Sequence, residues 1–296
     1  MIPDARATSG VFFPNPRTGK PALLVVSKNG RVKVHEDPDS ASKHWLTVLF
    51  LGDHICTNGE RGLQSALVHP DFEKNHYIYL FYTAFKEGCL NDDTFDRELH
   101  PHNLLVRFEM DPKTLMLDYE TREEIWRSPG LFNYMHNGGA MVFGNDGKIY
   151  LTHGEAGVQE NAQDLTNVFG TLMRLNDDGS TPDDNPYTIA NGYDAYDCRE
   201  SQGMVPVNSP TNAICSEIYA YGLRNPFRMA LDPNENKKTK FSIQDVGGRT
   251  WEELSYGGTD YAKANYGWKD YEGPCHRHLI DECPIADGPN DVEPFQ

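Results

Sequence analysis

Residues 134–157 read YMHNGGAMVFGNDGKIYLTHGEAG. Within them Ala140–Phe143 is apolar throughout and forms a strand. Gly144-Asn145-Asp146-Gly147 is a turn, because Asn-Gly and Asp-Gly steps supply positive φ at little cost, and Lys148–Thr152 runs back as a second strand. Glycines bracket the hairpin: His136-Asn137-Gly138-Gly139 precedes it and Gly154-Glu155-Ala156-Gly157 follows it. A two-strand hairpin brings its outer ends together, so His136 and Glu155 are expected side by side at one rim of a sheet. An imidazole beside a carboxylate is an oriented general base, because the carboxylate holds one ring nitrogen and leaves the other free. The competing reading is a surface His and a surface Glu in two glycine-rich loops.

The same phrase recurs on either side. ALVHPDFEKNHYIYLFYTA (66–84), AMVFGNDGKIYLTHGEA (140–156) and MALDPNENKKTKFSIQDVG (229–247) each run strand, turn, strand, loop. Units of this kind at long intervals predict an all-β fold of the propeller type. Their spacing exceeds one compact blade, so the loops between them carry function. Further strands are expected at Val11–Phe13, Ala22–Ser27, Arg31–His35, Trp45–Phe50, Leu104–Met110 and Ile218–Leu223, with Asn29-Gly30 turning one hairpin. A short helix is expected within Gln159–Leu172, with Asn161 or Asp164 near its start. Glu87–His102 reads as a charged, exposed excursion and Asp177–Asn185 as a solvated acidic loop. Trp251 and Trp268 read as core residues.

The 296 residues carry 27 basic and 44 acidic side chains, a formal charge of −17. That balance argues against nucleic acid and anionic membrane as partners. Acid-rich loops suit Ca²⁺, and no apolar run approaches a membrane span. Six cysteines lack Cys-x-x-Cys spacing, which disfavours zinc and redox dithiols. Cys198 with Cys215 and Cys275 with Cys283 each bracket a polar loop and read as staples, while Cys56 and Cys89 are left over and free to pair. Such staples belong to an oxidising compartment, so a secreted or periplasmic protein is expected, its leader absent from this chain. Free cytosolic thiols are the alternative.

Nine motifs then fall in order. They are GERGLQSALVHPDF (59–72), HNGG (136–139), the GEAG bracket, NAQDL (161–165), G-x-L-x-R-L (170–175), PDDNPY (182–187), YAYGLRNPFRMALDP (219–233), DVGGRTWEEL (245–254) and NYGWKDYEGPC (265–275). From about Trp45 to Cys275 the chain resembles the soluble glucose/sorbosone dehydrogenase family, the quinoprotein sugar dehydrogenases. The resemblance implies a six-bladed β-propeller with its site on the axis at one face. The phrases fill about four blades plus part of another, so a single domain over residues 1–296 is expected that is an incomplete propeller.

The resemblance also implies oxidation of an aldose hydroxyl by hydride transfer to pyrroloquinoline quinone (PQQ), with Ca²⁺ assisting and an external electron acceptor completing the cycle. His136 matches the base, Glu155 its orienting carboxylate and Arg224 the cation that stabilises developing charge. Arg224, Asn225 and Glu60 match cofactor contacts. Some active family members carry Gln at the position of Glu60, and an acid there repels a tricarboxylate. The carbonyls of Val246 and Gly247 match the ligands of the catalytic Ca²⁺, although the Gly-Pro frequent in the family is missing. Glu253 and the Tyr266 carbonyl match a structural Ca²⁺ site. Hedgehog-interacting proteins share many of these motifs, so a non-catalytic ligand-binding propeller is the second reading. A hydrolytic propeller using axial Ca²⁺ and a His is the third, without support from the motifs.

Overall fold

The computed structural model describes residues 6–86, 89, 100–131 and 133–277. Strands dominate, and α1 (Phe72–Asn75) is a single turn. Four antiparallel sheets follow one another along the chain. The first contains β1 (Ala7–Pro14), β2 (Pro21–Ser27), β3 (Arg31–His35) and β4 (Leu46–Phe50). The second contains β5 (Leu63–Val68), β6 (Tyr77–Thr83), β7 (Asn103–Glu109) and β8 (Glu123–Arg127). The third starts with β9 (Met141–Phe143), β10 (Ile149–His153) and β11 (Thr171–Leu175). After an excursion holding the two-residue strands β12 (Ala195–Tyr196) and β13 (Ile214–Cys215), β14 (Ile218–Tyr221) completes that sheet. The fourth contains β15 (Pro226–Leu231), β16 (Lys240–Asp245) and β17 (Glu253–Gly258), and a short ribbon of β18 (Tyr271–Glu272) and β19 (Cys275–His276) follows.

The sheets sit side by side as propeller blades. β5 lies against both β1 and β9, and β9 lies against β15. Polar ties run between blades at the same end: Thr8 Oγ1 donates to the Leu63 carbonyl, Ser65 Oγ to Gly139 O and Thr152 Oγ1 to Pro226 O. Arg228 of β15 reaches the Thr8 carbonyl of β1. The three recurring phrases of the sequence are therefore the innermost hairpins of blades two, three and four.

Side-chain alternation explains why interior strands read as continuous apolar runs. Along β6, Ile78, Leu80 and Tyr82 enter the core shared with blade one. Tyr79 and Phe81 point the other way, into the core shared with Met141, Phe143, Ile149 and Leu151 of blade three. Val142, Tyr150 and Leu172 face the fourth blade's Phe241 and Ile243. A strand buried on both faces has no polar side to show, and each fully buried aliphatic stabilises the stack by about 1.5–3 kcal/mol.

Two expectations need correction. The helix within Gln159–Leu172 is a 3₁₀ turn, Gln159–Gln163, whose N-cap is Val158. Asn161 lies inside it and binds the Glu155 carbonyl, while Asp164 closes it by accepting from Thr166. The Asp177–Asn185 loop is not simply solvated. Arg174 takes Asp184 at 2.7 Å and Asn185 is fully buried. Most of the Glu87–His102 excursion lies outside the described residues. Within it, Cys89 is disulfide-bonded to Cys56, and the expected Cys198–Cys215 disulfide is also present. Cys283 lies outside the described residues, and its pairing with Cys275 lies there too.

Candidate active site

Antiparallel blades placed in this way send the connections 51–62, 128–140, 154–170, 222–225 and 246–252 to one face. Glu60, His136, Glu155, Arg224, Asn225, Val246 and Gly247 all fall on these connections. Three of the loops meet at Gly154. A Cβ there would lie 2.1 Å from the His136 carbonyl and 3.0 Å from the Arg224 carbonyl, so only glycine allows the approach. The next two amides close the junction: Glu155 N donates to Arg224 O at 2.8 Å and Ala156 N to His136 O at 3.3 Å.

His136 Nδ1 and Glu155 Oε1 are 2.8 Å apart. Glu155 is 1% exposed and His136 9%. The second Glu155 oxygen accepts from Gly157 N–H. A carboxylate only accepts, so Nδ1 carries the proton, and Nε2 has no protein partner among the described residues. His136 itself sits at φ +54°, a left-handed conformation that costs a non-glycine residue about 1 kcal/mol or more. Its N–H is held by Glu60 Oε2 at 2.7 Å.

That Glu60 oxygen also accepts from Asn225 Nδ2 at 3.1 Å, while Asn225 Oδ1 accepts from Gly138 N. Glu60 and Asn225, expected as cofactor contacts, thus tie the His136 loop to the fourth blade. Glu60 remains exposed. Arg61 beside it is fully buried and donates to the Leu131, Asn133 and Cys89 carbonyls. Its burial pulls the guanidinium down to about 10.

Arg224 is anchored from two sides. Its N–H and that of Asn225 donate to Asp245 at 2.8 and 2.6 Å, and its Nη1 donates to the Val246 carbonyl at 2.9 Å. Its guanidinium lies 5.3 Å from the Trp268 ring centroid, a cation–π contact. Arg224 Nε is buried without a partner among the described residues. Burial pushes the Asp245 carboxyl up to about 7, against the two N–H groups that favour its charged form. The sequence reading placed Asp245 at the head of the Val246-Gly247 loop and Trp268 in the core, but missed that both support Arg224. Asp245 stands inside the DVGG motif, but only the fold puts it under Arg224-Asn225.

The expected metal ligands divide into two groups. Val246 O faces the Arg224 guanidinium, while Gly247 N binds Glu252 Oε2 at 3.2 Å. Glu253 accepts from Gly273 N at 2.8 Å; burial and the neighbouring Glu272 and Glu252 raise its carboxyl. Tyr266 is tied by its N–H to Tyr221 O and by its hydroxyl to Tyr256 O. Glu272 Oε2 is a buried carboxylate oxygen without a partner among the described residues. Orphaned carboxylate beside a disfavoured one is donor chemistry that a hard cation satisfies. Cys198, Cys215 and Glu217 also cluster, but the two sulfurs are spent on their disulfide.

A cavity of about 310 Å³ is lined by Ala156, Val158, Phe169 and Met204, on the loop that follows Glu155, but by neither His136 nor Glu155. A larger one of about 480 Å³, between Tyr77, Arg107 and Glu123, lies at the strand ends of the opposite face and takes no part.

The Glucose / Sorbosone dehydrogenase family model matches residues 15–205, and the chain belongs to that family. It is 28% identical over 225 residues to aldose sugar dehydrogenase YliI of Escherichia coli (strain K12), covering 72% of this chain and 47% of that protein. It is 28% identical over 239 residues to quinoprotein glucose dehydrogenase B of Acinetobacter calcoaceticus, covering 73% and 41%. Hedgehog-interacting protein of Mus musculus is 26% identical over 231 residues, covering 72% and 29%. The chain therefore spans less than half the length of these relatives. Among solved structures, the PQQ-bound aldose sugar dehydrogenase of Streptomyces coelicolor superposes with a TM-score of 0.64 at 22% identity, over 91% of this chain and 66% of that one. At that identity the likeness is one of fold.

Proposed function

We propose that this protein is a PQQ-dependent oxidoreductase that oxidises a hydroxyl of an aldose sugar. The observation that carries the reading is the buried His136–Glu155 pair, with Nδ1 fixed and Nε2 unengaged. His136 Nε2 receives the hydroxyl proton, and Glu155 stabilises the imidazolium that results. Arg224 is half-buried, and its guanidinium N–H groups not spent on the Val246 carbonyl would stabilise negative charge growing in the site, in the manner of an oxyanion donor. The bound quinone supplies the hydride acceptor. Arg224 fits a quinone oxygen or carboxylate, whereas Glu60 and Asn225 act by holding the His136 loop. Ca²⁺ would draw on the Gly247 and Val246 carbonyls, the latter shared with Arg224 Nη1, and, as a structural ion, on Glu253 with the Tyr266 carbonyl, and would supply Lewis acidity and charge compensation. The disulfides support a secreted or periplasmic location.

The test uses the full chain with Ca²⁺. PQQ is titrated in and its absorbance followed, then aldoses are added with an artificial electron acceptor. Saturable binding followed by dye reduction is expected. In His136→Ala, turnover is expected to fall by at least about 100-fold with quinone affinity nearly unchanged. Sugar oxidation at the parental rate in that variant would remove His136 as the base. A folded protein that binds no quinone would favour the ligand-binding propeller, for which the exposed Glu60 carboxylate and the likeness to Hedgehog-interacting protein speak.

A further inference from the structure

Beneath the His136–Glu155 pair lies a polar cluster that the proposed reaction does not use. Asn103, the first residue of β7, sits at its centre. Its side-chain oxygen accepts from Thr83 Oγ1 at 2.7 Å. Its amide nitrogen lies 3.3 Å from Asn137 Oδ1 and 3.0 Å from His153 Nε2. One NH₂ group has two hydrogens, and here each has an acceptor. Reversing the amide would set oxygen against the Asn137 oxygen, so the orientation follows from the partners. Thr83, Asn103 and His153 are 0% exposed and Asn137 is 1% exposed.

The cluster also fixes the state of His153. Its Nδ1 meets the Gly154 carbonyl at 2.7 Å. A carbonyl only accepts, so Nδ1 carries the proton and Nε2 is the acceptor for Asn103. Burial drives the imidazole down to about 4, although the Gly154 carbonyl favours its protonated form. The ring is neutral near pH 7. Phe81, Trp126 and Phe169 surround it, with the Phe169 centroid at 5.0 Å. Apart from Asn103 and the Gly154 carbonyl, the described neighbours of the ring are apolar.

We propose that Asn103 and His153 are positioning residues for the His136–Glu155 pair. Asn137 follows His136 in the chain, and His153-Gly154 precedes Glu155. One amide on the second blade therefore holds the two loops on either side of the third blade's inner hairpin. Burial makes the arrangement all-or-none: a lost donor leaves an orphan oxygen and an orphan ring nitrogen, and each must move to find another partner. Movement of either loop opens the 2.8 Å contact on which an oriented base depends. The inference rests on the proposed role of that pair as the base.

The test is nitrogen-15 NMR of histidine-labelled full-length chain, with turnover measured in parallel. In the parent, His153 is expected as the neutral Nδ1–H tautomer with no titration above about pH 5, following its burial. The His136 Nδ1 proton, bonded to Glu155, is expected to exchange slowly with water. Asn103→Asp keeps the shape but loses both amide hydrogens: neither the carboxylate nor the protonated acid that burial favours, with its single O–H, serves Asn137 and His153 together. It is expected to speed exchange of the His136 Nδ1 proton at least tenfold. Turnover should fall about 100-fold with KM little changed, the scale of a misplaced catalytic group. Thr83→Val removes only the bond to the Asn103 oxygen. It should shift both readings the same way by less, and it decides the matter if Asn103→Asp fails to fold. Unchanged His136 exchange in the folded variants, or a parental His153 protonated on Nε2, overturns the proposal. If the parent oxidises no sugar, the proposed activity fails while the exchange measurement still decides the positioning.

Discussion

Glu272 Oε1 accepts from four consecutive backbone N–H groups, those of Gly248, Arg249, Thr250 and Trp251, at 2.9, 2.6, 2.8 and 3.2 Å. Burial works against its charge, and the four amides outweigh burial, so the carboxyl is held below its ordinary value. This acid shapes the loop that carries the Val246 and Gly247 carbonyls. Glu272→Ala would strand four donors and is expected to cost about 3 kcal/mol, read as a fall in the urea midpoint. Glu272→Gln, which retains one accepting oxygen, should cost less than half of that. Equal losses in the two variants would mean that the amides do not depend on the oxygen. The placement of His136 beside Glu155 and of Arg224 on the same face was legible in the sequence, because each stands in a short motif that contains glycine or proline. Glu272 was not, because an acid 21 to 24 residues from its partners leaves no local sign. Glu60 was expected as a cofactor contact, and its bonding was not legible, since its donors come from positions 136 and 225.

The innermost hairpins were the most legible elements, because turn chemistry and strand pattern coincide within about twenty residues. Blade three shows where this stops. β11 pairs with β14 across an excursion of more than forty residues, which no hairpin signal spans. Within that excursion β12 and β13 run parallel, Cys215 pairs with Tyr196 in register, and Cys198 bonds Cys215. Two-residue strands cannot hold by themselves, so the disulfide restrains this segment together with its ties to Arg174, Leu165 and Thr166. Its separation of 17 residues corresponds to about 3 kcal/mol of loop-closure entropy removed from the unfolded chain. The double variant Cys198→Ser/Cys215→Ser is expected to lower stability by about that amount in urea unfolding. Hydrogen-exchange protection should be lost between residues 176 and 217 and kept in β9 and β10. A uniform loss across all four blades would show that the excursion is integral to the stack rather than appended to it.

Across the whole molecule, buried titratable groups set how stability responds to pH, and two kinds oppose each other. Burial drives His153 down to about 4 and, with Arg127 adding to burial, His102 to about 4. Each contributes stability that is present above its unfolded value of about 6.5 and lost as pH falls towards 4. Burial pushes Glu217 up to about 8, with Asp197 adding to it, and Asp245 up to about 7. Each of these contributes stability that is present below about pH 4 and lost as pH rises through its folded value. Between about pH 4 and 6.5 the two histidines and the two carboxyls cancel, and above 6.5 only the carboxyls continue to act. The formal charge of −17 adds self-repulsion in the same direction. The urea midpoint is therefore expected to be nearly flat from about pH 4.5 to 6.5 and then to fall towards pH 8, a loss on the order of 2 kcal/mol. Glu217→Gln removes a charge that must otherwise be buried while keeping an acceptor for Arg199 N–H, which Glu217 Oε1 binds at 2.6 Å. Its midpoint should fall less steeply across that alkaline limb. A parental midpoint that rises from pH 6.5 to 8 would mean that neither carboxyl stays protonated in the folded chain. The upward push of burial on the Asp245 carboxyl beneath Arg224 would then have to be abandoned.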